Sequence, residues 1–373
     1  MNLFLISFIS GAGFLLGFLL FFHPLQQNIK ANCWLGVFAS LIGCTFLNIY
    51  VSKTGIIVSD SFASKILNSL PFLMPSSLFM SVLYFVNPIK QFTKEDGLHF
   101  VPFLLYSCVE NGFHISQNSL SEFPLFPITN DVSFLVRDIL PFLLLFYLTK
   151  SYVLLLKHQE NLKQISSSVD EINLDWLIQF LYLMLVIVIV WINDAFFELP
   201  LLTEATNLLY AGLLFFLAYF SIRQKNIFTF KEKEIQEISE LISPEHHKSE
   251  PKPKRINDDQ TAALSIRLMS LVEKDKIFLD NELTLPIVAE KLNISIHDAS
   301  FLINETTGDN FYNFINKHRV EEAKKLLVSE QANQLNMLGI AFASGFNSKT
   351  TFNTAFKKQT GVSPSSYVKS QKL

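Results

Sequence analysis

The chain has 373 residues, of which 50% are hydrophobic and 17% charged, and its formal net charge is -3. This length is enough for two or three domains, and the apolar fraction argues against a chain that is water-soluble throughout. The residues before Arg223 include 9 Lys and Arg against 14 Asp and Glu, whereas the remainder includes 21 against 19. The net charge therefore changes from -5 to +2, which predicts a membrane part followed by a part in water.

Apolar segments long enough to cross a bilayer recur through the first part of the chain. A spanning helix needs about 20 apolar residues. The segments that meet this length are 3–22, 32–51, 66–86, 134–156, 174–192 and 201–222. The first has no positively charged leader and no small-residue cleavage pattern, so we expect it to remain as a spanning helix. A further segment, 98–112, is shorter and contains His99 and Glu110.

The distribution of positive charge indicates that this shorter segment also crosses. With seven crossings, the loops on one side of the membrane carry Lys30, Lys90, Lys94, Lys157, Lys163, Arg223 and Lys225. The opposite loops carry only Lys53 and Lys65, and the stretches 111–133 and 193–206 carry no Lys or Arg. Because positive residues stay on the cytoplasmic side, we expect seven helices, an N-terminus outside and a cytoplasmic C-terminal part. Six crossings would place Lys-bearing and Lys-free loops on one side.

None of the patterns in this part indicates catalysis or metal binding. Gly11, Gly13 and Gly17 resemble a nucleotide loop, but no strand precedes them, and small residues four apart instead let membrane helices approach closely. The three cysteines lie in apolar stretches without paired spacing, which favours packing residues over disulfides or zinc ligands. No metalloprotease motif or nucleophile context occurs. The sequence therefore predicts neither an enzyme nor a cofactor.

Ionisable residues near the outer ends of the predicted helices are the candidates for a sensor site. Such a residue costs several kcal/mol inside a bilayer unless it is paired or hydrated. These residues either line a polar pocket that faces outward or lie at headgroup depth, where water or snorkelling solvates them. The candidates are Glu110, His114, Arg137, Asp138, Asp194 and Glu198.

Residues 223–260 are predicted to connect the two parts. Four apolar residues recur at roughly heptad spacing, which favours a short amphipathic helix that continues from the membrane. They are Phe228, Ile235, Ile238 and Ile242. A dimerising coiled coil is the alternative, although the pattern covers fewer than two heptads. Residues 244–260 are rich in Pro, Lys and Glu and poor in apolar residues, as in flexible connectors.

Two stretches of the remaining part share a local pattern. In "IVAEKLNIS" Ala289 is followed four residues later by Asn293, and in "GIAFASGFNS" Ala341 is followed by Gly345. A helix-turn-helix unit needs a small residue where its helices touch and, at the turn, a residue that tolerates a left-handed backbone. Each stretch precedes a segment suited to the helix that enters the major groove. The repeated pattern predicts two helix-turn-helix units.

A linking helix is predicted between the two units, over "NFYNFINKHRVEEAKKLLVSE". Its apolar residues follow helical periodicity, and Asp309 or Asn310 can cap its start. A helix of about 18 residues spans about 27 Å. With its ends, it could hold two recognition helices about 34 Å apart, which is one turn of DNA. Residues 331–373 contain five Lys and no acidic residue, which suits contact with phosphates.

This part of the chain resembles the AraC/XylS-type transcription regulators over roughly 261–373. The most specific stretch is "IAFASGFNSKTTFNTAFKKQTGVSPSSY", which is similar to the family signature. Its matching residues are Ile340, Ala341, Gly345, Phe346, Ser348, Phe352, Phe356, Lys357, Gly361, Pro364 and Tyr367. The linking helix matches at Phe314, Arg319, Ala323 and Leu327. With its membrane part, the whole chain is similar to membrane-bound bacterial members in which a seven-helix region replaces the soluble sensor.

The hydropathy pattern and the resemblance together imply an all-α protein with three parts. A polytopic bundle of seven transmembrane helices would form a sensor region at 1–222. A cytoplasmic helix and flexible linker would follow at 223–260. Residues 261–373 would form an all-α DNA-binding domain with two helix-turn-helix subdomains.

The resemblance also implies which residues of the second recognition helix face DNA. Lys can donate to guanine, Asn can pair with adenine and Thr can contact the thymine methyl group, whereas lysines at the helix end suit phosphates. The DNA-contact candidates are Ser348, Lys349, Thr350, Asn353, Thr354, Lys357 and Lys358. We expect the intervening residues to pack inward, namely Thr351, Phe352, Ala355 and Phe356.

The first recognition helix offers fewer candidates. By the family pattern it begins near Ile296, and its polar contacts are Ser295, His297, Ser300 and Asn304. Ala299 stands where the family usually has Leu, and Phe301 stands where many members present a polar residue. We therefore expect this helix to orient the domain and contact phosphates more than to read bases. Arg319, on the linking helix, would either contact phosphate or tie the subdomains together through Glu305 or Glu322.

These observations predict a non-enzymatic, membrane-embedded one-component regulator in the bacterial cytoplasmic membrane. Its partners would be double-stranded DNA, the lipid bilayer, a signal ligand or membrane partner, and a second copy in a homodimer. The signal would act through the 223–243 helix, or proteolysis in the connector would release the DNA reader. The competing class is a transporter or channel with an appended regulatory DNA-binding module. Asn68, Pro71 and Pro75 are the nearest sign of the broken helices that such proteins use.

Overall fold

In a computed structural model of the protein, the regular secondary structure of the described residues is helical, apart from one isolated antiparallel bridge. The described residues are 2–23, 25–57, 61–109, 139–170, 172–197, 200–225, 227, 234, 237–238, 241, 258–329 and 335–371. The chain divides into two compact units. The membrane unit comprises Met1–Leu156 and Leu174–Ile227, and the C-terminal unit comprises Lys157–Asn173 and Phe228–Leu373.

The first nine helices begin in the membrane unit. They are α1 (Leu3–Phe21), α2 (Ile29–Thr54), α3 (Phe62–Ser69), α4 (Met74–Val86), α5 (Lys94–Gly97), α6 (101–109), α7 (Leu140–Ile165), α8 (Asp175–Phe196) and α9 (Pro200–Arg223). Among the described residues, six spans are long and apolar enough to cross a membrane, and all six long segments predicted from hydropathy are confirmed. The shorter predicted segment contains α6, and its continuation from Glu110 onward lies outside the described residues.

The glycines of α1 allow it to pack closely on α2. A Cβ atom at Gly13 would lie 2.8 Å from the Ala39 carbonyl oxygen, and one at Gly17 would lie 3.0 Å from the Gly36 carbonyl oxygen. The Ser10 hydroxyl also donates a hydrogen bond of 2.9 Å to the Gly43 carbonyl. Gly13 and Gly17 therefore act as the predicted small residues of a helix interface, because any larger side chain would push the helices apart.

The third predicted segment is interrupted rather than continuous. A 3-10 turn, Leu70–Leu73, separates α3 from α4, with Pro71 and Pro75 near the starts of the turn and of α4. Proline lacks the backbone N–H that an α-helix uses and restricts the residue before it, which explains the change of helix type. Asn68, just before the turn, accepts a hydrogen bond of 2.7 Å from the Asn48 side chain.

Large apolar side chains are exposed on the outside of the membrane unit. The exposed fractions reach 74% for Phe4, 63% for Phe215 and 61% for Leu15. Exposed apolar surface of this extent is unfavourable in water, at about 25 cal/mol per Å². A bilayer would solvate it, so these side chains are compatible with membrane embedding.

The remaining helices form the C-terminal unit around two hydrophobic cores. They are α10 (Asp258–Glu273), α11 (Leu285–Leu292), α12 (Ile296–Thr307), α13 (Phe311–Val328), α14 (Met337–Ala343), α15 (Lys349–Thr360) and α16 (Pro364–Gln371), with a 3-10 turn at Ile277–Leu279. Helix α13 serves both cores. Its first half buries Phe314 and Ile315 in the first core, and its second half buries Ala323 and Leu327 in the second.

Residues 157–173, which the hydropathy pattern assigned to the sensor region, group with the C-terminal unit. This segment comprises the end of α7 and the loop that leads to α8. Leu162 and Ile165 are each 1% exposed and belong to the first core, as does Ile238 from the predicted connector. Hydropathy cannot detect this grouping, because an apolar residue at the end of a membrane helix has the same pattern whether it contacts lipid or a protein core.

Candidate nucleic-acid interface

Both helix-turn-helix units contain the left-handed turn residue that the sequence predicted. In the first unit, α11 and α12 are joined through Asn293, whose φ is 58°, and Ala289 is 3% exposed. In the second unit, α14 and α15 are joined through Gly345, whose φ is 88°, and Ala341 is fully buried. The small residue brings the helices together and the turn residue reverses the chain, as the paired pattern requires.

Gly345 has a second role that the sequence did not indicate. A Cβ atom at this position would lie 2.8 Å from the Cα atom of Leu279, in the 3-10 turn that contributes to the first core. The backbone at the turn between α14 and α15 therefore packs directly on the backbone of this 3-10 turn. Only glycine combines this close approach with a positive φ.

The linking helix α13 has the predicted length and start. It contains 18 residues, and the side chain of Asn310 accepts a hydrogen bond of 2.9 Å from the backbone N–H of Asn313. This cap satisfies one of the unpaired N–H groups at the helix start. Because its two halves belong to different cores, α13 holds the two recognition helices, α12 and α15, on one support.

The second recognition helix, α15, presents a polar face to solvent. Ser348 caps it by accepting a hydrogen bond of 3.0 Å from the Thr351 backbone N–H. The predicted inward residues are all buried: Thr351, Phe352, Ala355 and Phe356. The remaining candidates are all exposed: Lys349, Thr350, Asn353, Thr354, Lys357 and Lys358. Their contact with DNA stays a prediction.

The first recognition helix, α12, offers less to a DNA duplex. Ser295 caps it by accepting a hydrogen bond of 3.1 Å from the Asp298 backbone N–H, and its hydroxyl donates to the Asp298 carboxylate at 2.7 Å. His297 and Ser300 are partly buried, whereas Phe301 is 38% exposed. An acidic residue in the first turn and an exposed aromatic ring offer little to polar base edges, and the expected phosphate contacts of α12 stay a prediction.

Arg319 does not contact solvent, so the expectation that it contacts phosphate is corrected. It is fully buried, and its guanidinium donates hydrogen bonds of 2.7 Å to each of the carbonyl oxygens of Phe278 and Asp280. It also donates to the carbonyl oxygen of Ser167 at 3.2 Å and to the Ser167 hydroxyl at 2.9 Å. Burial lowers the pKa of Arg319 to about 10, which leaves it charged at neutral pH.

The structural role of Arg319 uses partners other than the predicted carboxylates. Glu322 accepts a hydrogen bond of 2.8 Å from Lys276, and this contact lowers the pKa of the Glu322 carboxyl group. Arg319 lies 5.8 Å from the centre of the Phe346 ring, in the second core. It therefore connects the first core, the 157–173 segment and the second core. Carbonyl oxygens accept hydrogen bonds from the several donors of the guanidinium, and an aromatic ring attracts its positive charge.

Two carboxylates lie at the N-termini of the recognition helices. Asp170 accepts hydrogen bonds from the hydroxyl groups of Ser348 and Thr351 at the start of α15. Glu237 accepts a hydrogen bond of 3.4 Å from the backbone N–H of Ile296 at the start of α12. Helix N-termini attract anions, and DNA phosphates are among the anions that bind there. Both carboxylates therefore occupy positions suited to phosphate.

Sequence reasoning missed Ser167, Asp170 and Glu237 as residues of this interface. Asp170 lies 178 residues from Ser348, and Ser167 lies 152 residues from Arg319. A loop with three successive serines and acidic residues resembles any hydrated loop between membrane helices. The one available signal was that the loop 157–173 lies on the predicted cytoplasmic side, where the DNA-binding part also lies.

Most of the proposed sensor residues lie outside the part of the chain that the structure describes. Glu110, His114, Arg137, Asp138 and Glu198 lie outside the described residues. Asp194 lies in α8, and the structure does not describe its side chain. The outward-facing pocket therefore stays a prediction. Among the described residues, no group of three or more His, Cys, Asp or Glu side chains is arranged to hold a metal ion.

Comparison with known proteins identifies the C-terminal part of the chain. Residues 288–370 match a family model described as a helix-turn-helix domain. The C-terminal domain of AraT, a response regulator from Geobacillus stearothermophilus, is 32% identical, with 31% of this chain and 88% of that chain covered and a TM-score of 0.26. No curated protein matches the chain. The C-terminal part is thus an AraC-type helix-turn-helix domain, which implies a regulator of transcription.

Proposed function

We propose that the protein is a membrane-embedded one-component transcription regulator, in which the C-terminal unit binds specific DNA and the membrane unit receives a signal. The observation that carries this proposal is the exposed face of α15. It presents six polar or basic residues on a helix whose opposite face is completely buried. A rigid helix with this division can enter a major groove without loss of its core.

The exposed face of α15 suits base recognition at its start and phosphate contact at its end. Lys349 and Asn353 are four residues apart and share one side of the helix. Lys can donate to guanine O6 and N7, and Asn can make paired hydrogen bonds with adenine. Lys357 and Lys358, in the last turn, would contact phosphates. Helix α12 would orient the domain through Ser295, His297 and Ser300.

The membrane unit would supply the control. Its apolar exterior suits a bilayer, and the alternation of Lys-rich and Lys-poor loops suits an outside N-terminus and a cytoplasmic C-terminal unit. The signal would bind in or outside the membrane near Arg137 and Asp194, and the chain would act without catalysis. A ligand changes such an equilibrium only by binding one state more tightly than another, so the membrane helices would have two arrangements. A homodimer would let two chains contact two half-sites.

A transporter or channel with an appended DNA-binding module is the second candidate. The interrupted span with its 3-10 turn, Leu70–Leu73, favours this candidate, because transporters use broken helices at their binding sites. The side-chain hydrogen bond between Asn48 and Asn68 lies beside this turn. The same features also serve as a hinge in a sensor, so DNA binding decides between the two functions.

The test is DNA selection by the full-length protein in lipid nanodiscs, with a pool of duplexes of random sequence. We expect enrichment of a defined sequence motif, with affinity that falls as salt rises because phosphate contacts release counterions. The control is Lys53→Ala, which removes an exposed positive charge from the membrane unit and leaves the C-terminal unit unchanged. Failure of the full-length protein to enrich any motif would contradict the proposal and favour transport.

A further inference from the structure

We propose that residues 157–173 form an internal docking segment that holds the DNA-binding unit in a form unable to engage DNA, with Asp170 in the place of a DNA phosphate. This inference rests on the proposed function and specifies how the DNA-binding site is regulated. The docking segment is the end of α7 and the loop that joins it to α8, so its two ends continue into membrane helices.

Apolar burial anchors the docking segment in the C-terminal unit. Leu162 and Ile165 are almost fully buried in the first core, which also contains Ile315 of the linking helix. Val169 and Ile172 pack against the same core from the loop. Four apolar side chains of one short segment thus complete a core whose other members come mostly from the helix-turn-helix part. A loop whose role was limited to joining two membrane helices would not need this packing.

Ser167 provides the specific polar anchor. It is fully buried, and its backbone N–H and hydroxyl group donate hydrogen bonds of 3.3 Å and 2.7 Å to the Leu283 carbonyl. Its own carbonyl oxygen accepts hydrogen bonds of 3.2 Å from both Asn316 and Arg319. The neighbouring Ser166 forms an antiparallel bridge with Thr284. Since buried polar groups require partners, these contacts fix the position of the segment against α13.

Asp170 follows this anchor and meets the start of the second recognition helix. Its carboxylate accepts hydrogen bonds from both Ser348 and Thr351. The start of a recognition helix is the part that approaches the DNA backbone and base edges. A carboxylate there repels phosphate, and it accepts the hydrogen bond that the Ser348 hydroxyl group could otherwise donate to a phosphate.

Glu237 supports the same conclusion from a different part of the chain. It belongs to the segment that follows the last membrane helix, and its carboxylate accepts a hydrogen bond from the Ile296 backbone N–H at the start of α12. Ile238, beside it, is 1% exposed in the first core. Each recognition helix therefore has a carboxylate at its N-terminus, supplied by a segment adjacent to a membrane helix. Release of these segments would free both N-termini for phosphates.

Competition between the docking segment and DNA for the start of α15 would couple the membrane helices to DNA binding. A change in α7 or α8 that withdraws the docking segment would expose Ser348 and the first turn of α15 to a phosphate. Conversely, DNA that binds at α15 would displace Asp170, because binding free energies couple reciprocally. To free the start of α15, the signal needs to move only the docking segment, whose anchor at Ser167 makes docked and released states distinct.

The first experiment compares wild-type, Asp170→Asn and Glu160→Gln proteins, each full-length in lipid nanodiscs. Wild type and Asp170→Asn each select duplexes from a random pool, and all three are then measured on the enriched duplexes. We expect Asp170→Asn to bind about tenfold more tightly than wild type, within the usual range for coupled sites. Glu160→Gln removes a carboxylate from the same segment, and we expect no change because Glu160 is 70% exposed and pairs with Lys163.

The outcomes separate this inference from the proposed function. Selective binding that is equal or weaker in Asp170→Asn would overturn the inference and leave the proposed function intact. Failure of both proteins to enrich any motif would overturn the proposed function itself.

A second measurement uses unaltered protein, so it does not depend on the folding of a variant. Hydrogen exchange is followed for the amide groups of 166–170 with and without the enriched duplex. We expect faster exchange with DNA, because the Ser167 N–H would lose its bond to the Leu283 carbonyl. Unchanged or slower exchange in this segment would overturn the inference.

Discussion

The two helix-turn-helix units have the same local architecture but present different surfaces to DNA. Helix α15 exposes Lys349 and Asn353 on one side, whereas α12 has Asp298 in its first turn and exposes Phe301. Both helices are capped by a serine and follow a left-handed turn residue. The comparison shows that the fold repeats while the chemistry does not. This difference supports the proposal that the second unit carries the base recognition and that the first unit serves as its anchor.

The two units depend on shared support, and Arg319 is central to it. Substitution Arg319→Met keeps most of the volume but removes the guanidinium that donates to the buried Phe278 carbonyl oxygen. The carbonyl oxygens of Ser167 and Asp280 also lose this donor, and each keeps a second one. We expect a loss of about 3 kcal/mol in the stability of the C-terminal unit, since each buried unpaired group costs about 1–3 kcal/mol. Hydrogen exchange of the α13 amide groups measures this loss.

The control for this first prediction lies on the same helix. Lys325→Met removes a positive charge that is 74% exposed, and we expect no change in the exchange of α13. Equal exchange in the Arg319→Met and wild-type proteins would mean that the two units do not depend on the buried guanidinium group.

A second prediction separates the two turns. Gly345→Ala places a Cβ atom against Leu279 in a left-handed backbone, and we expect a loss of about 3 kcal/mol from strain and overpacking. Asn293→Ala at the exposed turn of the first unit adds no such contact, so we expect a loss of about 1 kcal/mol. Exchange of the α15 and α12 amide groups measures the two losses, and equal values would contradict the close approach at Gly345.

Sequence reasoning succeeded where the determining interactions are local. The left-handed turns at Asn293 and Gly345, the cap at Asn310 and the burial pattern of α15 depend on residues within one or two turns of chain. The six long membrane spans follow from length and hydropathy in the same way. Such features need no knowledge of distant contacts, so a single sequence contains enough information to predict them.

The features that were missed depend on contacts between distant parts of the chain. The partners of Arg319 include Ser167, which is 152 residues away, whereas the expected partners were Glu305 or Glu322. Asp170 is 178 residues from Ser348. Charge and periodicity describe each segment separately, so they cannot indicate that a loop between membrane helices completes a DNA-binding core. The interrupted span at Leu70–Leu73 was predicted in part, because the sequence shows its prolines but does not indicate that they produce a 3-10 turn.

The measurement that tests the central claim most directly compares two double variants on the motif selected by the wild-type protein. Lys349→Ala with Asn353→Ala removes the base contacts proposed for α15, and His297→Ala with Ser300→Ala removes the polar groups of α12. We predict that the first pair lowers affinity for the motif by about 30-fold or more and relaxes its sequence preference, at about 1–3 kcal/mol for each of the two lost base contacts. The second pair should weaken binding slightly and leave the preferred sequence unchanged. A preserved motif in the first pair, or a changed motif in the second, would contradict the assignment of base recognition to α15.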